Sequence, residues 1–333
     1  MTASPRQVCR GPTAPRGPAP ARKTGTTGRE IVTIVGPMPP TPPAGAEPAL
    51  IAVDSDGCVF DTMAAKQIRC FHPEIIRCWG WEAVAPLVRE TAEFVNLRSA
   101  WRGSNRFVAL LKTFELLAER PEFTAAGAPP PPTDALRRFV ESGYPLSNER
   151  LRRLAEETGD VELRRLLDWS RAVNARVARE ASSGAPFPGA PEALRAAAEG
   201  GAILIVVSQT PEETLEREWR ESGLRALVRT VWGQERGTKA EMLRRAAAQW
   251  GARRLLMIGD APGDLRAARA GGAAFYPILP NGEEAASWAR FRTEVLPRFL
   301  RHAWTSADAS AIVARFERLL PETPPWRPPD FQA

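Results

Sequence analysis

One short stretch, residues 50–62, constrains the fold of this chain more than any other. It opens with the apolar run LIAV, and a continuous run without alternation is typical of a strand buried on both faces of a parallel sheet. The run stops at Asp54 and Asp56, one residue apart, followed by Gly57. Ligands of open parallel sheets bind beyond the carboxyl ends of the strands, so these residues lie where chemistry is expected. A strand that simply ends in an Asp/Gly turn is the structural alternative.

From residue 186 onward, short apolar runs alternate with helical segments. The pattern predicts strands at 203–207, 228–231, 255–258 and 273–276, separated by helices that include 238–250 and 263–270. The sequence TPEE after the first of these strands has the form of a capping box with proline at the first helical position, which predicts a helix beginning at once. Such alternation favours an α/β fold: a Rossmann-like, doubly wound parallel sheet with right-handed crossovers.

Residues 63–185 interrupt this core with a different texture. Apolar residues recur at threes and fours, as in Phe107, Leu110, Leu111 and Phe114, and no strand-like alternation occurs. The pattern predicts an inserted all-helical domain. The expected division of the chain is therefore a core of 50–62 and 186–320, an all-helical insertion of 63–185, and a loose proline-rich tail, 321–333.

The N-terminal residues 1–49 hold 11 of the 32 prolines and little apolar surface to bury, which predicts a disordered extension. Met38, just before the core, is a second candidate start. The net charge of the chain is +6, but this extension alone carries six basic and two acidic residues, so no strong basic face remains elsewhere. We therefore expect no nucleic-acid partner. The scarcity of lysine, with four in the whole chain, makes each one a candidate for a specific role.

Cysteine and histidine patterns argue against a zinc site. The four cysteines show no CxxC spacing and only two histidines are present, which favours reduced thiols in a cytoplasmic protein. The N-terminus has no apolar signal segment and no apolar run is long enough to span a bilayer, so no membrane partner is expected. The sequence leaves the oligomeric state open.

Further polar residues follow the other predicted strands and precede helices. Ser208 ends the strand at 203–207, Lys239 opens a helix, and Asp260 and Asp264 follow the strand at 255–258. Singly, these residues have ordinary interpretations as an N-cap, a surface lysine and turn formers. Together, at one edge of a sheet, oxygen ligands, a hydroxyl and a cation suit a hard divalent metal such as Mg²⁺ and the phosphate it meets.

The segments DSDGCVFDT, VVSQT, GTKAEML and MIGDAPGD resemble, in this order, the four signature motifs of the haloacid dehalogenase-like hydrolase superfamily, in its phosphoglycolate phosphatase and β-phosphoglucomutase-like group. The helical block after the first motif is similar in position to that superfamily's cap. The resemblance implies that Asp54 is a nucleophile that forms an aspartyl-phosphate and that Asp56 is the general acid and base. An aspartate at this second position is absent from the dehalogenases, so Asp56 points to phosphate esters.

The resemblance also implies a set of binding residues. Mg²⁺ is expected on Asp54, the backbone carbonyl of Asp56 and Asp260, with Asp264 supporting them. The phosphoryl oxygens are expected on Ser208 and Lys239, with the backbone N–H groups of Gly57 and Gln209. These roles agree with the needs of phosphoryl transfer, which are positioning and the screening of negative charge.

Substrate recognition is expected from the cap, where residues 96–106 cluster arginine, tryptophan and asparagine. The candidates are Arg98, Trp101, Arg102 and Arg106. Arg102 and Arg106 share one face if the segment is helical, and a solvated arginine-rich helix is the ordinary interpretation. The sequence thus favours a Mg²⁺-dependent phosphatase for a small phosphorylated metabolite. A phosphomutase of the β-phosphoglucomutase type, or a non-catalytic binding protein on this fold, remains the alternative.

Overall fold

The computed structural model of the chain describes residues 48–180 and 184–327. Its sheet has five parallel strands in the order β3-β2-β1-β4-β5. The strands are β1 (Ala49–Val53), β2 (Ile203–Val207), β3 (Thr230–Trp232), β4 (Arg254–Gly259) and β5 (Ala274–Pro277). The predicted parallel sheet is confirmed, with the strand near 230 beginning two residues later than the sequence pattern indicated. Residues 1–47 of the predicted disordered extension lie outside the described part of the chain, and Ala49, the last residue assigned to it, is instead the first residue of β1.

The central strand β1 is buried along its whole length because helices cover both faces of the sheet. Ile51 and Val53 face one cluster, whose largest members include Trp219, Trp288 and Phe291. Leu50 and Ala52 face the opposite cluster, built around residues of the helices that follow β3, β4 and β5. Burial on both faces explains why this strand reads as a continuous apolar run.

Helices of the sheet layers alternate with the strands, as the sequence predicts for a doubly wound fold. They are α9 (Ala190–Glu199), α10 (Glu212–Glu221), α11 (Lys239–Trp250), α12 (Pro262–Gly271), α13 (Glu284–Arg290), α14 (Leu296–Leu300) and α15 (Ser306–Leu319). A π-helical turn, Phe291–Val295, joins α13 to α14, and 3-10 turns occupy Arg225–Leu227 and Gln234–Arg236.

Between β1 and α9 the described chain is helical, as the pattern predicts. The helices are α1 (Met63–Lys66), α2 (His72–Trp79), α3 (Ala85–Leu97), α4 (Arg106–Ala118), α5 (Pro121–Ala125), α6 (Asp134–Val140), α7 (Asn148–Thr158) and α8 (Val161–Glu180). A π-helical turn, Gln67–Phe71, and a 3-10 turn, Glu82–Val84, connect three of them. We call residues 63–180 the helical insertion; its limits as a separate domain stay a prediction.

The helical insertion has a hydrophobic cluster of its own, rich in aromatic rings. Trp79, Trp81, Phe114 and Trp169 meet mostly edge to face, with ring centroids 4.9 to 6.2 Å apart. Aromatic pairs favour this geometry because a positive ring edge meets a negative ring face. The insertion is therefore packed around its own core rather than laid as single helices on the sheet. Among the described residues, no helix combines the length and the apolarity that crossing a membrane requires.

Part of the predicted loose tail packs against this insertion. The ring of Trp326 contacts the Phe94 ring at a centroid distance of 5.4 Å, and the Arg120 guanidinium lies 4.6 Å from its centroid. Backbone N–H of Ala100 donates to the Pro321 carbonyl at 3.2 Å. As far as Arg327 the segment is thus packed against the insertion, mainly through the Trp326 ring, which its proline-rich composition did not predict. Residues 328–333 lie outside the described residues.

Candidate active site

Strand register brings three predicted segments to one edge of the sheet. Val53 pairs with Val206 on one side and with Ile258 on the other, so the residues after these strands emerge together. The backbone N–H of Asp54 donates to the Ile258 carbonyl at 3.0 Å, continuing the ladder by one residue. Asp54, Ser208 and Asp260 consequently leave the sheet at the same level, and all three are buried.

Three carboxylates converge at this edge. Asp54, Asp260 and Asp264 each offer an oxygen within 4.8 Å of the others. Lys239, the first residue of α11, places its Nζ 2.7 Å from Asp54 Oδ2 and 2.5 Å from Asp264 Oδ1. Burial would lower the pKa of Lys239, but the charges of Asp264 and Asp54 raise it above its usual value, so the side chain stays cationic. The predicted meeting of these four residues is what the structure shows.

Burial sets the proton affinities of two of these carboxyls. Desolvation raises the pKa of Asp54 to about 7, against the opposing charge of Lys239. Desolvation also raises the pKa of Asp260 to about 6, although the Arg102 guanidinium favours its ionised form. Crowded, buried carboxylates resist ionisation unless cations compensate them. Such a cluster therefore favours binding of positive charge.

The donor set fits a hard divalent cation. Asp260 is fully buried, and its Oδ1 has no hydrogen-bond partner among the described residues. A buried oxygen without a donor is costly unless something positive meets it. Carboxylate oxygens in small number are the ligands that Mg²⁺ takes in proteins. Asp54 and Asp260 would hold such an ion, while Asp264 also accepts from Lys239 and from the backbone N–H of Ala261.

Asp56 lies beside this cluster in a separate hydrogen-bond network. Its carboxylate accepts from the Thr62 hydroxyl, from Lys66 Nζ at 2.6 Å and from the Thr210 hydroxyl at 2.9 Å. Burial alone would raise the pKa of Asp56, but the Lys66 ammonium and these donors hold it below its ordinary value. Asp56 is thus held by two hydroxyls and a lysine, away from the carboxylates that share Lys239.

The Thr210 contact corrects the predicted capping box. The helix α10 begins at Glu212 with Pro211 at the N-cap, and its first N–H, that of Glu212, donates to Glu235 Oε2 at 3.0 Å rather than to Thr210. Thr210 directs its hydroxyl to Asp56 Oδ2 instead, and its backbone N–H donates to Ser208 Oγ at 3.3 Å. The motif has capping residues in the right order, but the threonine serves the site rather than the helix.

Lys66 and Glu218 complete the network around Asp56. Lys66 Nζ also lies 3.3 Å from Glu218 Oε1, and Glu218 is buried on α10. Sequence reasoning included Lys66 only among the four scarce lysines and missed Thr62, Thr210 and Glu218 as partners of Asp56. Two signals were available: lysine is scarce in this chain, and Glu218 stands between Leu215 and Trp219 on the apolar face of its helix.

Glycine at position 57 is required by close approach. Its φ is +77°, and a Cβ there would meet Asp260 Oδ2 at 2.5 Å and Arg102 Nη2 at 2.9 Å. The Gly57 N–H, predicted to meet a phosphoryl oxygen, donates to the Phe60 carbonyl at 2.9 Å and closes the turn. Gln209 is exposed and its side chain donates to the Gly237 carbonyl at 3.2 Å. In this structure Gly57 makes room for side chains of the site.

Cys58, next in the chain, is a structural thiol. Its Sγ is fully buried, 3.7 Å from the Ile258 carbonyl, and burial raises its pKa well above the usual value. A buried thiol with a raised pKa is a poor nucleophile. Cys58 is a free thiol, as the cysteine pattern predicts.

Of the four candidate residues in the helical insertion, only Arg102 reaches the carboxylate cluster. Arg98 is paired with Glu93, the Trp101 ring lies 4.6 Å from Lys112 Nζ, and Arg106 bonds Ser170 and Asn174 inside the insertion. Residues 98–105 form turns and not a helix, so Arg102 and Arg106 do not share a helical face. Arg102 is buried against Asp260 rather than solvated. Substrate roles for these four residues stay predictions.

Comparison with known proteins bears on the family of this chain. A family model described as a haloacid dehalogenase-like hydrolase matches residues 48–272. No curated protein matches. Similar solved structures include a protein from Lactobacillus delbrueckii subsp. bulgaricus assigned as a phosphoglycolate phosphatase, at 17% identity and a TM-score of 0.44 over 83% of this chain and 100% of that one.

Two further solved structures show a comparable likeness. A HAD-family hydrolase from Deinococcus radiodurans R1, with bound phosphate and sodium, is 18% identical over 83% of this chain and 98% of that one, with a TM-score of 0.43. A protein from Bacteroides vulgatus assigned as a β-phosphoglucomutase is 14% identical over 77% and 90%, with a TM-score of 0.43. None of these likenesses bears on the substrate.

Proposed function

The chain belongs to the haloacid dehalogenase-like hydrolase family, and from that premise we propose that it is a Mg²⁺-dependent phosphatase acting on a phosphate monoester of a small metabolite. The observation that carries the proposal is the arrangement of Asp54. Its carboxylate lies 2.7 Å from Lys239 Nζ and within 4.8 Å of oxygens of Asp260 and Asp264. A candidate nucleophile, a cation and candidate metal ligands therefore lie close together. A dianionic phosphate can approach a carboxylate only where positive charge screens their repulsion.

In the first step, Asp54 attacks phosphorus in line with the ester oxygen. A bond forms between the Asp54 carboxylate and phosphorus, and the bond from phosphorus to the ester oxygen breaks. Asp56, whose pKa is held below its ordinary value in the substrate-free site, takes up a proton when the negatively charged phosphate binds beside it and gives that proton to the leaving alcohol. Lys239 and Ser208 bind phosphoryl oxygens during transfer. Asp54 and Asp260 would hold the metal, which would supply charge neutralisation and orientation of the phosphoryl group. The product of this step is an aspartyl-phosphate on Asp54.

In the second step, Asp56 acts as a base. It takes a proton from water, the water oxygen bonds to phosphorus, and the acyl phosphate bond to Asp54 breaks, releasing inorganic phosphate. Thr62, Thr210 and Lys66 hold Asp56 at both carboxylate oxygens, which orients it for both proton transfers. The helical insertion supplies Lys66 and Arg102 to this edge, which supports its role as a cap.

The test is phosphate release from a panel of sugar, glycolyl, nucleotide and aryl phosphates, with Mg²⁺ or with EDTA. We expect metal-dependent turnover by the wild type and a loss of about 10⁴-fold or more in Asp54→Asn, because the substitution removes the attacking group. Asp61→Asn, an exposed carboxylate in the same segment, is the matched control and should keep its turnover.

Two outcomes would contradict the proposal. Turnover that survives Asp54→Asn would exclude Asp54 as the nucleophile. Absence of phosphate release by folded protein, together with isomerisation of a sugar phosphate that depends on a sugar bisphosphate, would identify a phosphomutase instead.

A further inference from the structure

The turn segment 98–105, between α3 and α4, carries one side chain from the helical insertion onto the carboxylate cluster. Arg102 places Nη2 2.7 Å and Nε 2.9 Å from Asp260 Oδ2, and Nε is also 3.1 Å from the Asp260 carbonyl. Its Nη1 donates to the Leu97 carbonyl at 2.9 Å, which ties the guanidinium back to the end of α3. Arg102 is 6% exposed and Asp260 is 0% exposed, so the contact is closed to solvent. Arg102 and Asp260 are therefore held against each other in one defined geometry.

The two oxygens of Asp260 have different surroundings. Oδ2 receives both guanidinium donors, whereas Oδ1 is buried and has no partner among the described residues. The two-donor contact holds the plane of the carboxylate, so one oxygen stays paired with Arg102 while the other accepts no hydrogen bond among the described residues. Arg102 therefore leaves Oδ1 as the oxygen that Asp260 can offer to a cation.

Two glycines make this docking possible. Gly57 leaves the space that Arg102 Nη2 and Asp260 Oδ2 occupy, since a Cβ would lie 2.9 and 2.5 Å from them. Gly103, with φ +69°, follows Arg102, and a Cβ there would meet the Ala261 Cβ at 2.5 Å. The turn segment of the insertion thus packs directly on the residues that follow β4.

We propose that Arg102 is a positioning residue for the metal site: it fixes the Asp260 carboxylate through Oδ2, presents Oδ1 to a divalent cation, and so couples cation binding to docking of the helical insertion. The inference rests on the proposed function in requiring a cation on Asp260. It also gives Arg102 a task other than the predicted contact with a second anionic group of the substrate. Partners that orient metal ligands typically change metal affinity 10- to 100-fold when they are replaced.

The experiment measures Mn²⁺ binding to the full chain by electron paramagnetic resonance, without substrate, so that the readout is independent of turnover. Arg102→Lys keeps the positive charge but cannot make the planar two-donor contact. We expect its dissociation constant for Mn²⁺ to rise about 10- to 100-fold. Arg106→Lys is the matched control, because Arg106 bonds Ser170 and Asn174 inside the insertion and does not touch Asp260; its Mn²⁺ affinity should equal that of the wild type.

A second pair of variants leaves the arginine in place. Gly103→Ala would push the turn segment off Ala261, whereas Gly127→Ala has the same kind of backbone, with φ +68°, and nothing within 4 Å of the new Cβ. Both carry the strain of a side chain at positive φ, so Gly127→Ala controls for that strain, whereas the clash with Ala261 arises only at position 103. Only Gly103→Ala should bind Mn²⁺ more weakly.

Mn²⁺ affinity of Arg102→Lys equal to or tighter than that of the wild type would overturn the inference, as would equal weakening in Arg106→Lys or Gly127→Ala. These results would leave metal-dependent phosphate release by the wild type intact. A wild-type protein that binds no Mn²⁺ would remove the metal from the proposed function and this inference with it. Asp260→Asn should abolish binding if Asp260 is the ligand that Arg102 orients.

Discussion

The carboxylate edge of the sheet and the core of the helical insertion are organised in opposite ways. At the edge, a few charged groups are held by named donors at hydrogen-bond distance, as Lys239 is between Asp54 and Asp264. In the insertion, aromatic rings such as Trp81 and Phe114 are held by contact area on all sides. Directional contacts decide which groups meet, whereas area decides how stably a layer is packed. Substitutions in the two regions should therefore separate activity from stability.

The largest expected effect on stability is in the insertion. Phe114→Ala removes a fully buried ring that contacts Trp79 at 4.9 Å and Trp81 at 5.2 Å, between centroids. We expect the free energy of unfolding to fall by about 3–5 kcal/mol, from lost burial and the cavity left behind. Urea unfolding measures the loss, and turnover per folded molecule should stay unchanged. Tyr144→Ala, at a 58% exposed ring, is the control; a loss of turnover in Phe114→Ala at low urea would contradict the separation of the two regions.

A pH-dependent effect of intermediate size should also come from the insertion. Burial, helped by the charge of Arg89, lowers the pKa of His72 from 6.5 to about 4, so the folded state keeps this ring neutral. Between pH 6.5 and 4 the unfolded chain binds a proton that the folded chain does not, so this residue's contribution is full above pH 6.5 and is lost as the pH falls. The loss reaches about 3 kcal/mol at pH 4.

His72→Met should abolish that contribution. Wild type and variant are compared by urea unfolding at pH 7 and at pH 4, so that other titrating groups cancel in the difference. The wild type should lose more stability between the two pH values than the variant does. Equal losses would show that His72 is protonated in the folded state.

The smallest expected effect concerns the Asp56 network, where activity and stability should separate within one residue pair. Lys66→Met removes a donor of Asp56 and leaves buried Glu218 without its cation. We expect turnover to fall at least about tenfold, because Asp56, the general acid and base, loses a donor that orients it. We expect the free energy of unfolding to fall by about 1–3 kcal/mol. Thermal unfolding and steady-state kinetics measure the two.

The double variant Lys66→Met/Glu218→Gln provides the control for this pair. It removes the unpaired charge as well as its partner, so most of the lost stability should return while turnover stays low. Recovery of turnover together with stability would mean that Lys66 acts only by keeping the protein folded.

The sequence predicts the sheet well because burial and motif position are both local signals. Strand β1 is buried on both faces and therefore reads as one apolar run, and the carboxyl ends of parallel strands must share an edge. The meeting of Asp54, Lys239 and Asp264 follows from that topology. The side-chain partners do not: the Thr210 hydroxyl could equally have capped α10, and only the fold directs it to Asp56.

Contacts from the helical insertion were harder to predict for the same reason. The position of Arg102 depends on how the turn after α3 packs on residues after β4, more than 150 positions later in the chain. No local sequence pattern indicates such a long-range contact. The sequence of this segment is compatible with a helix, whereas Gly103 at positive φ ends any continuation of α3. Because arginine is abundant in this chain, composition does not distinguish Arg102, which reaches the carboxylates, from the other arginines of residues 48–180 and 184–327.

The C-terminal segment is a third connection between the sheet and the helical insertion, besides the two stretches of chain that lead into and out of the insertion. The polypeptide enters the insertion after Thr62 and returns before Gly184, and Trp326 then comes back from α15 to contact Phe94 and Arg120. Any swing of the insertion away from the sheet edge must carry this tail along or pull the Trp326 ring from its seat. If product leaves only when the insertion swings away, the contacts of Trp326 would set the time that product stays bound, although Trp326 takes no part in the chemical steps.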